Sequence, residues 1–311
     1  MLRKTLPALL TRSWGLALLE QIQNIMAFKG SRQMTAIASI GTAKPATNQS
    51  QGPSPGPGDN ARQTGVSFDI PDLDRHLNGG IWTNALHEVR CSLARDFACA
   101  AGFALGLAAQ FGKPDAGRIF WVIDPAASVD SGLPFPDGLS EHGIDPKMMV
   151  FARPITLRDA LWSADQAAKC SDLSAVIFQV KGNPKHFDMT ATRRLMLRAR
   201  ESGVLVCVLR QSGDQEASAT ATRWHVEIMP SGPDPDFEPG PGQARHVQTL
   251  ERNRHGRTGQ WTLLWNPENR TFEDGTPKAQ TAHRVRRIHA SADRPDSPAE
   301  VGQVVDFERA C

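Results

Sequence analysis

A buried strand that runs straight into a helix can hold phosphate at its turn, because the first backbone N–H groups of the helix have no partner of their own. In this chain the strand read over residues 85–89 is followed by Arg90, Cys91, Ser92, Leu93, Ala94, Arg95 and Asp96. A phosphate-cradling turn needs G-x-x-x-x-G-K-[ST]: glycines for close backbone approach, a lysine for the outer phosphates and a hydroxyl for magnesium. Here there is no glycine and no Lys-Ser or Lys-Thr pair, and Asp96 falls near the place of the hydroxyl, where a carboxylate repels a triphosphate. A metal-holding or water-activating acid is expected at the end of a second strand. The run over 175–180 delivers Gln179 there, and Asp124, at the end of RIFWVID, is a lone carboxylate followed by Pro125 and Ala126. No catalytic residue and no cofactor is expected.

Other chemistries find equally little. His87, His142, His186 and His225 lack metal-ligand spacing, and no G-x-S-x-G nucleophile motif occurs. Cys91, Cys99, Cys170, Cys207 and Cys311 form no C-x-x-C pair, which reads as a reducing, cytoplasmic setting without structural zinc or other metal.

Charged surfaces are the remaining candidates, and the formal net charge of +2 means any such case must be local. The helix read over 190–202 sets Arg193, Arg194, Arg198 and Arg200 away from an apolar stripe of Leu195, Met196 and Ala199. Those arginines suit phosphate backbone or an acidic partner, against the plainer reading of a solvated face partly neutralised by Glu201. A hairpin further on carries Arg245, Arg252, Arg254, His255 and Arg257, followed by Trp261 and Trp265. Arginines beside aromatics suit single-stranded nucleic acid. Trp261, Leu263 and Trp265 share one strand face, however, and read as core cover. The segment 211–222 has no basic residue and reads as a flexible connection. Arg210 either points into the crevice at the strand ends or makes an inward salt bridge to Asp96 or Asp124.

The elements that must position these groups alternate strand and helix from 85 to 209, which means a mostly parallel sheet flanked by helices. AVIFQV and VLVCVL are continuous apolar runs, as buried central strands require. After 222 the pattern changes to half-exposed strands, so antiparallel edge strands and a hairpin close an α/β fold at its C-terminal end. The expected organisation is an N-terminal helical extension over 1–40, a disordered linker over 41–65, one domain over 66–265 and a disordered tail over 266–311. The basic, leucine-rich start reads as a loosely attached helix or an upstream start codon, with Met26 or Met34 as alternatives. The longest uncharged apolar run, 97–112, is short of the roughly 20 residues that cross a bilayer, so no membrane span is expected.

A linked set of segments then stands out: HLNGGIWTNALHEV, WVID, PFPDGLSEHGIDPKMMVFARP, DALWSADQA, DLSAVIFQV, TATRRLMLRARESGV, VLRQS, ATRWHVEIMPS and LERNRHGRTGQWTLLW. Spread over 66–265, it resembles the ImuA family of RecA-like mutagenesis proteins, and more loosely bacterial RecA through Gly79-Gly80, GLSEHGIDPKMMV and the sheet order. The resemblance implies a RecA-like domain without its phosphate loop. It implies a non-catalytic accessory role in SOS-induced error-prone translesion synthesis. Partners implied are an ImuB-like homologue of Y-family polymerases and, directly or through it, an error-prone DNA polymerase III alpha-type subunit. Contact with RecA or DNA and self-association stay open. Three alternatives stand beside it: a SulA-type inhibitor of cell division, a single-stranded DNA-binding protein, and an ATPase with an unusual site.

Overall fold

Strands whose residues are apolar on both faces need cover on both faces, and that demand organises this molecule. In the computed structural model, residues 65–113, 117–231 and 244–276 are described. The expected extension over 1–40, nearly all of the 41–65 linker, most of the Pro- and Gly-rich stretch 231–242 and the chain beyond Thr276 lie outside them.

The described strands are β1 (Leu86–Cys91), β2 (Arg118–Ile123), β3 (Met149–Ala152), β4 (Leu173–Lys181), β5 (Leu205–Gln211), β6 (Thr222–Met229), β7 (Arg245–Asn253), β8 (Gly259–Asn266) and β9 (Thr271–Asp274). They form a single sheet in the order β3-β2-β4-β5-β1-β6-β7-β8-β9. Pairing is parallel from β3 through β6 and antiparallel from β6 to β9. The α/β fold expected from the alternation is therefore present, with its antiparallel strands at the C-terminal end.

The helices are α1 (Pro71–His76), α2 (Phe97–Phe111), α3 (Pro125–Ser131), α4 (Pro136–Glu141), α5 (Leu157–Ala168) and α6 (Met189–Ser202). α2, FACAAGFALGLAAQF, is apolar nearly all round and packs on β1, β4, β5 and β6 within one core cluster. On the opposite face α5 and α6 bury alanine-rich stripes against the sheet in a second cluster. α6 begins where Asp188 accepts a hydrogen bond from the Ala191 N–H at 2.9 Å, and ends at Gly203, whose φ of 73° only glycine adopts cheaply. Leu195, Met196 and Ala199 are its buried stripe, as the spacing predicts.

Four expectations need correction. β1 extends to Cys91, because Arg90 and Cys91 pair with Arg210 and Gln211, so two residues assigned to the turn belong to the sheet. β6 lies inside the sheet beside β1 rather than at an edge. β9 falls in the stretch assigned to the tail, and the sheet reaches past Trp265 because Phe272 is buried against Trp265 and Phe103. That packing requires Gly106 on α2, where a Cβ would sit 2.4 Å from the Phe272 ring. Finally, the segment 211–222 is not a loose connection: Ser218, Ala219, Thr220 and Ala221 are buried, and the Ala219 N–H donates to Thr192 Oγ1 at 3.1 Å.

Candidate functional site

Where the parallel strands end, side chains and backbone of the protein itself occupy the turn. Past Cys91 the chain makes one 3-10 turn, Ala94–Asp96, and enters α2. Arg90 is buried and pairs with Glu251 of β7 at 2.9 Å, while its other amino group donates to the Gly213 carbonyl at 3.0 Å. Ser92 Oγ meets His225 Nε2 at 2.9 Å. Asp96 is buried as well and accepts from the Ile228 N–H of β6 at 3.1 Å. Its carboxylate is engaged as a tie between helix and sheet. Leu93 and Arg95 stand in solvent.

The neighbouring strand ends are closed in the same way. Gln179 is buried, accepts from Trp121 Nε1 at 3.1 Å and donates to Ser131 Oγ at 2.7 Å. Asn183 and Asp214 exchange two hydrogen bonds at 2.7 and 3.0 Å, clasping the ends of β4 and β5. Asp124 is buried at the end of β2; burial raises its pKa, opposed by hydrogen bonds from the N–H groups of Lys181, Ala126 and Ala127.

Arg210 meets neither Asp96 nor Asp124. It pairs with Glu88 in the middle of β1 at 2.7 Å, and Arg223 of β6 reaches the other oxygen of the same carboxylate at 2.8 Å. All three side chains are buried. Burial pushes the Glu88 carboxyl up, but Arg210 and Arg223 outweigh it and hold it below the usual carboxylate range. The arginines then fasten neighbouring backbone: Arg210 donates to the Gly182 carbonyl at 2.6 Å, and Arg223 to Ser218 Oγ at 2.9 Å and to the Glu216 carbonyl. This cluster is what pins 212–221. Sequence reading missed Glu88 because its partners are set by strand register.

Burial favours the neutral form of the four described thiols. Burial drives Cys91 up to about 11 and raises Cys99, Cys170 and Cys207. Among the described residues no three His, Cys, Asp or Glu side chains come together as a metal site. No helix there is long and apolar enough to cross a membrane.

The basic candidates divide into two groups. Arg194 and Arg198 lie over Asp165 of α5, at 3.1 and 3.8 Å, and Arg198 also meets Glu201 at 2.9 Å. Among the described residues Arg193, Arg200, Arg245, Arg252, Arg254 and Arg257 have no carboxylate within salt-bridge distance. Trp261 and Trp265 turn onto the core, as their shared strand face predicts; Trp261 Nε1 donates to Asp72 at 3.0 Å and Trp265 Nε1 to the His142 carbonyl at 2.9 Å. The ring that lies beside the basic turn is Trp82, stacked on His255 with centroids 3.6 Å apart and planes 27° from parallel.

Comparison with known proteins gives a single theme. No family model matches the chain. The chain is similar to Protein ImuA of Caulobacter vibrioides, in strains NA1000 / CB15N and ATCC 19089 / CIP 103742 / CB 15, at 28% identity over 255 residues, covering 76% of this chain and 94% of that protein.

Proposed function

We propose that this chain is a non-catalytic, RecA-like adaptor in damage-induced mutagenesis. It works with an ImuB-like homologue of Y-family polymerases and, through it or directly, with an error-prone DNA polymerase III alpha-type subunit. The observation that carries this reading is the turn after β1. Three of the polar side chains at the turn are engaged within the protein, Arg90 by Glu251, Ser92 by His225 and Asp96 by the Ile228 N–H, and Arg95 alone among its charged groups stands in solvent. The sheet around it is intact, so the scaffold serves through its surfaces. The likeness to Protein ImuA, along most of both chains, supports the pathway.

Two measurements test it. Recovery of the tagged full chain from DNA-damaged cells is expected to bring down an ImuB-like protein; recovery of the division GTPase without it would overturn the reading. Mg-ATP is expected to leave the thermal midpoint unchanged, with no phosphate released. A shift that vanishes in Asp124→Ala or Arg95→Ala would mean that a nucleotide site survives.

A further inference from the structure

We infer that the β7–β8 turn and the Gly79–Gly80 corner with Trp82 together form a binding face for single-stranded nucleic acid. Three observations on different elements converge there.

The first is unspent charge. Several described arginines are paired: Glu88 serves the buried Arg210 and Arg223, Glu251 serves the buried Arg90, and Asp165 serves Arg194 and Arg198 at the surface. Arg254 and Arg257 in the turn and Arg200 on α6 are exposed, and no described carboxylate lies within salt-bridge distance of them. Asp72 borders the turn through His76, but it is held by Arg75 and by the Trp261 indole, each at 3.0 Å. Arg252 has its pKa lowered by burial first and then by the charges of Arg223 and Arg254, which marks a place where positive charge accumulates. Burial, Arg254 and Arg200 likewise lower the pKa of His255. Arg200, at the end of α6, thus adds to the positive field acting on the imidazole.

The second is a flat aromatic surface set among those charges. His255 is exposed and its ring lies on Trp82, which is itself partly covered. With its pKa lowered the imidazole is neutral at pH 7, so the pair offers a base a π surface rather than a further charge. Every base has a face to stack, so such a platform is tolerant of sequence. Strand spacing assigned Trp261 and Trp265 to the core, where they lie, and the ring pair beside the arginines is Trp82 with His255.

The third is rigidity before binding. Asn253 donates to the His76 carbonyl at 2.9 Å and accepts from the His255 N–H at 3.1 Å. Asn78 donates to the His255 carbonyl. The N–H groups of Arg254 and Arg257 are fixed on the Ala221 and His76 carbonyls, both at 2.9 Å. At Gly256 a Cβ would fall 2.0 Å from the His76 carbonyl oxygen, so only glycine lets the turn lie this close. A turn already fixed loses little conformational entropy when it binds. An acidic peptide would satisfy the arginines but would leave the ring pair without a counterpart.

The experiment is fluorescence anisotropy of a labelled oligothymidylate with the full chain over a range of salt concentrations. The same series is run with duplex DNA and with polyglutamate, and thermal melts confirm that each variant is folded. Single-strand affinity is expected to fall linearly with salt on logarithmic axes. Arg254→Gln with Arg257→Gln should reduce that slope by about two. His255→Ala is expected to weaken binding by at least about fivefold, and His255→Phe to restore it. Wild-type affinity in both variants, or no binding at all, would overturn the inference. So would equal binding of duplex, or loss of polyglutamate binding in parallel with the oligonucleotide and no effect of His255→Ala. None of these results bears on recovery of the polymerase partner, so the two readings fail separately.

Discussion

The Glu88 carboxylate lies buried between arginines of two neighbouring strands. Two buried guanidinium groups depend on its carboxylate, and through them it holds the 212–221 segment against the sheet. Removing one member of a buried ion cluster strands the others without partners, which costs about 3–5 kcal/mol. Glu88→Ala is therefore expected to lower the unfolding free energy by that order, seen as a reduced urea midpoint, and Glu88→Gln by less, since the amide oxygen still accepts one hydrogen bond. Denaturation curves of equal slope would check this. Arg210 shows where sequence reading stops at this scale. Its burial at a strand end was foreseeable, but its partner is fixed by register: Glu88 faces Arg223 across β1 and β6, and Arg210 lies diagonally across β1 and β5. No local pattern encodes that alignment.

At the scale of elements, strands buried on both faces were plain in the sequence, since unbroken apolar runs leave few alternatives. β9 was not: TFED has one large apolar residue, and its reason to fold lies 166 positions away, at Gly106 against Phe272. Gly106→Val is expected to expel the Phe272 ring and release β9. Amide exchange should accelerate at Phe272, whose N–H is held by Gln110 at 3.0 Å, while β4 and β5 stay protected. Unchanged exchange at Phe272 would show that the helix yields instead. The 212–221 segment was misread for a related reason. Small polar residues are the composition of a loop, yet Ser218 and Thr220 hydrogen-bond to each other at 2.9 Å beneath the surface.

Across the whole molecule, the neutral histidines tie stability to pH. His87 has no solvent exposure, its ring nitrogens meet the Trp82 carbonyl and Thr222 Oγ1 at 2.7 and 2.8 Å, and burial lowers its pKa from 6.5 to about 4. His142 is lowered to about 4 too, by burial first. An unfolded chain takes up these protons near pH 6.5 and the folded one only near 4, so stability is full above 6.5 and declines as pH falls through that interval. The expected loss is on the order of 3 kcal/mol for His87 alone, measurable as a falling denaturant midpoint between pH 7 and pH 4.5. His87→Asn should flatten that dependence. The strand-end turn has one more implication. Arg90, Ser92 and Asp96 are now fastened to β6 and β7, so grafting a glycine-rich phosphate loop onto β1 would cut three anchors before gaining a ligand. Such a graft is therefore expected to lower the stability of the protein before it confers any affinity for phosphate.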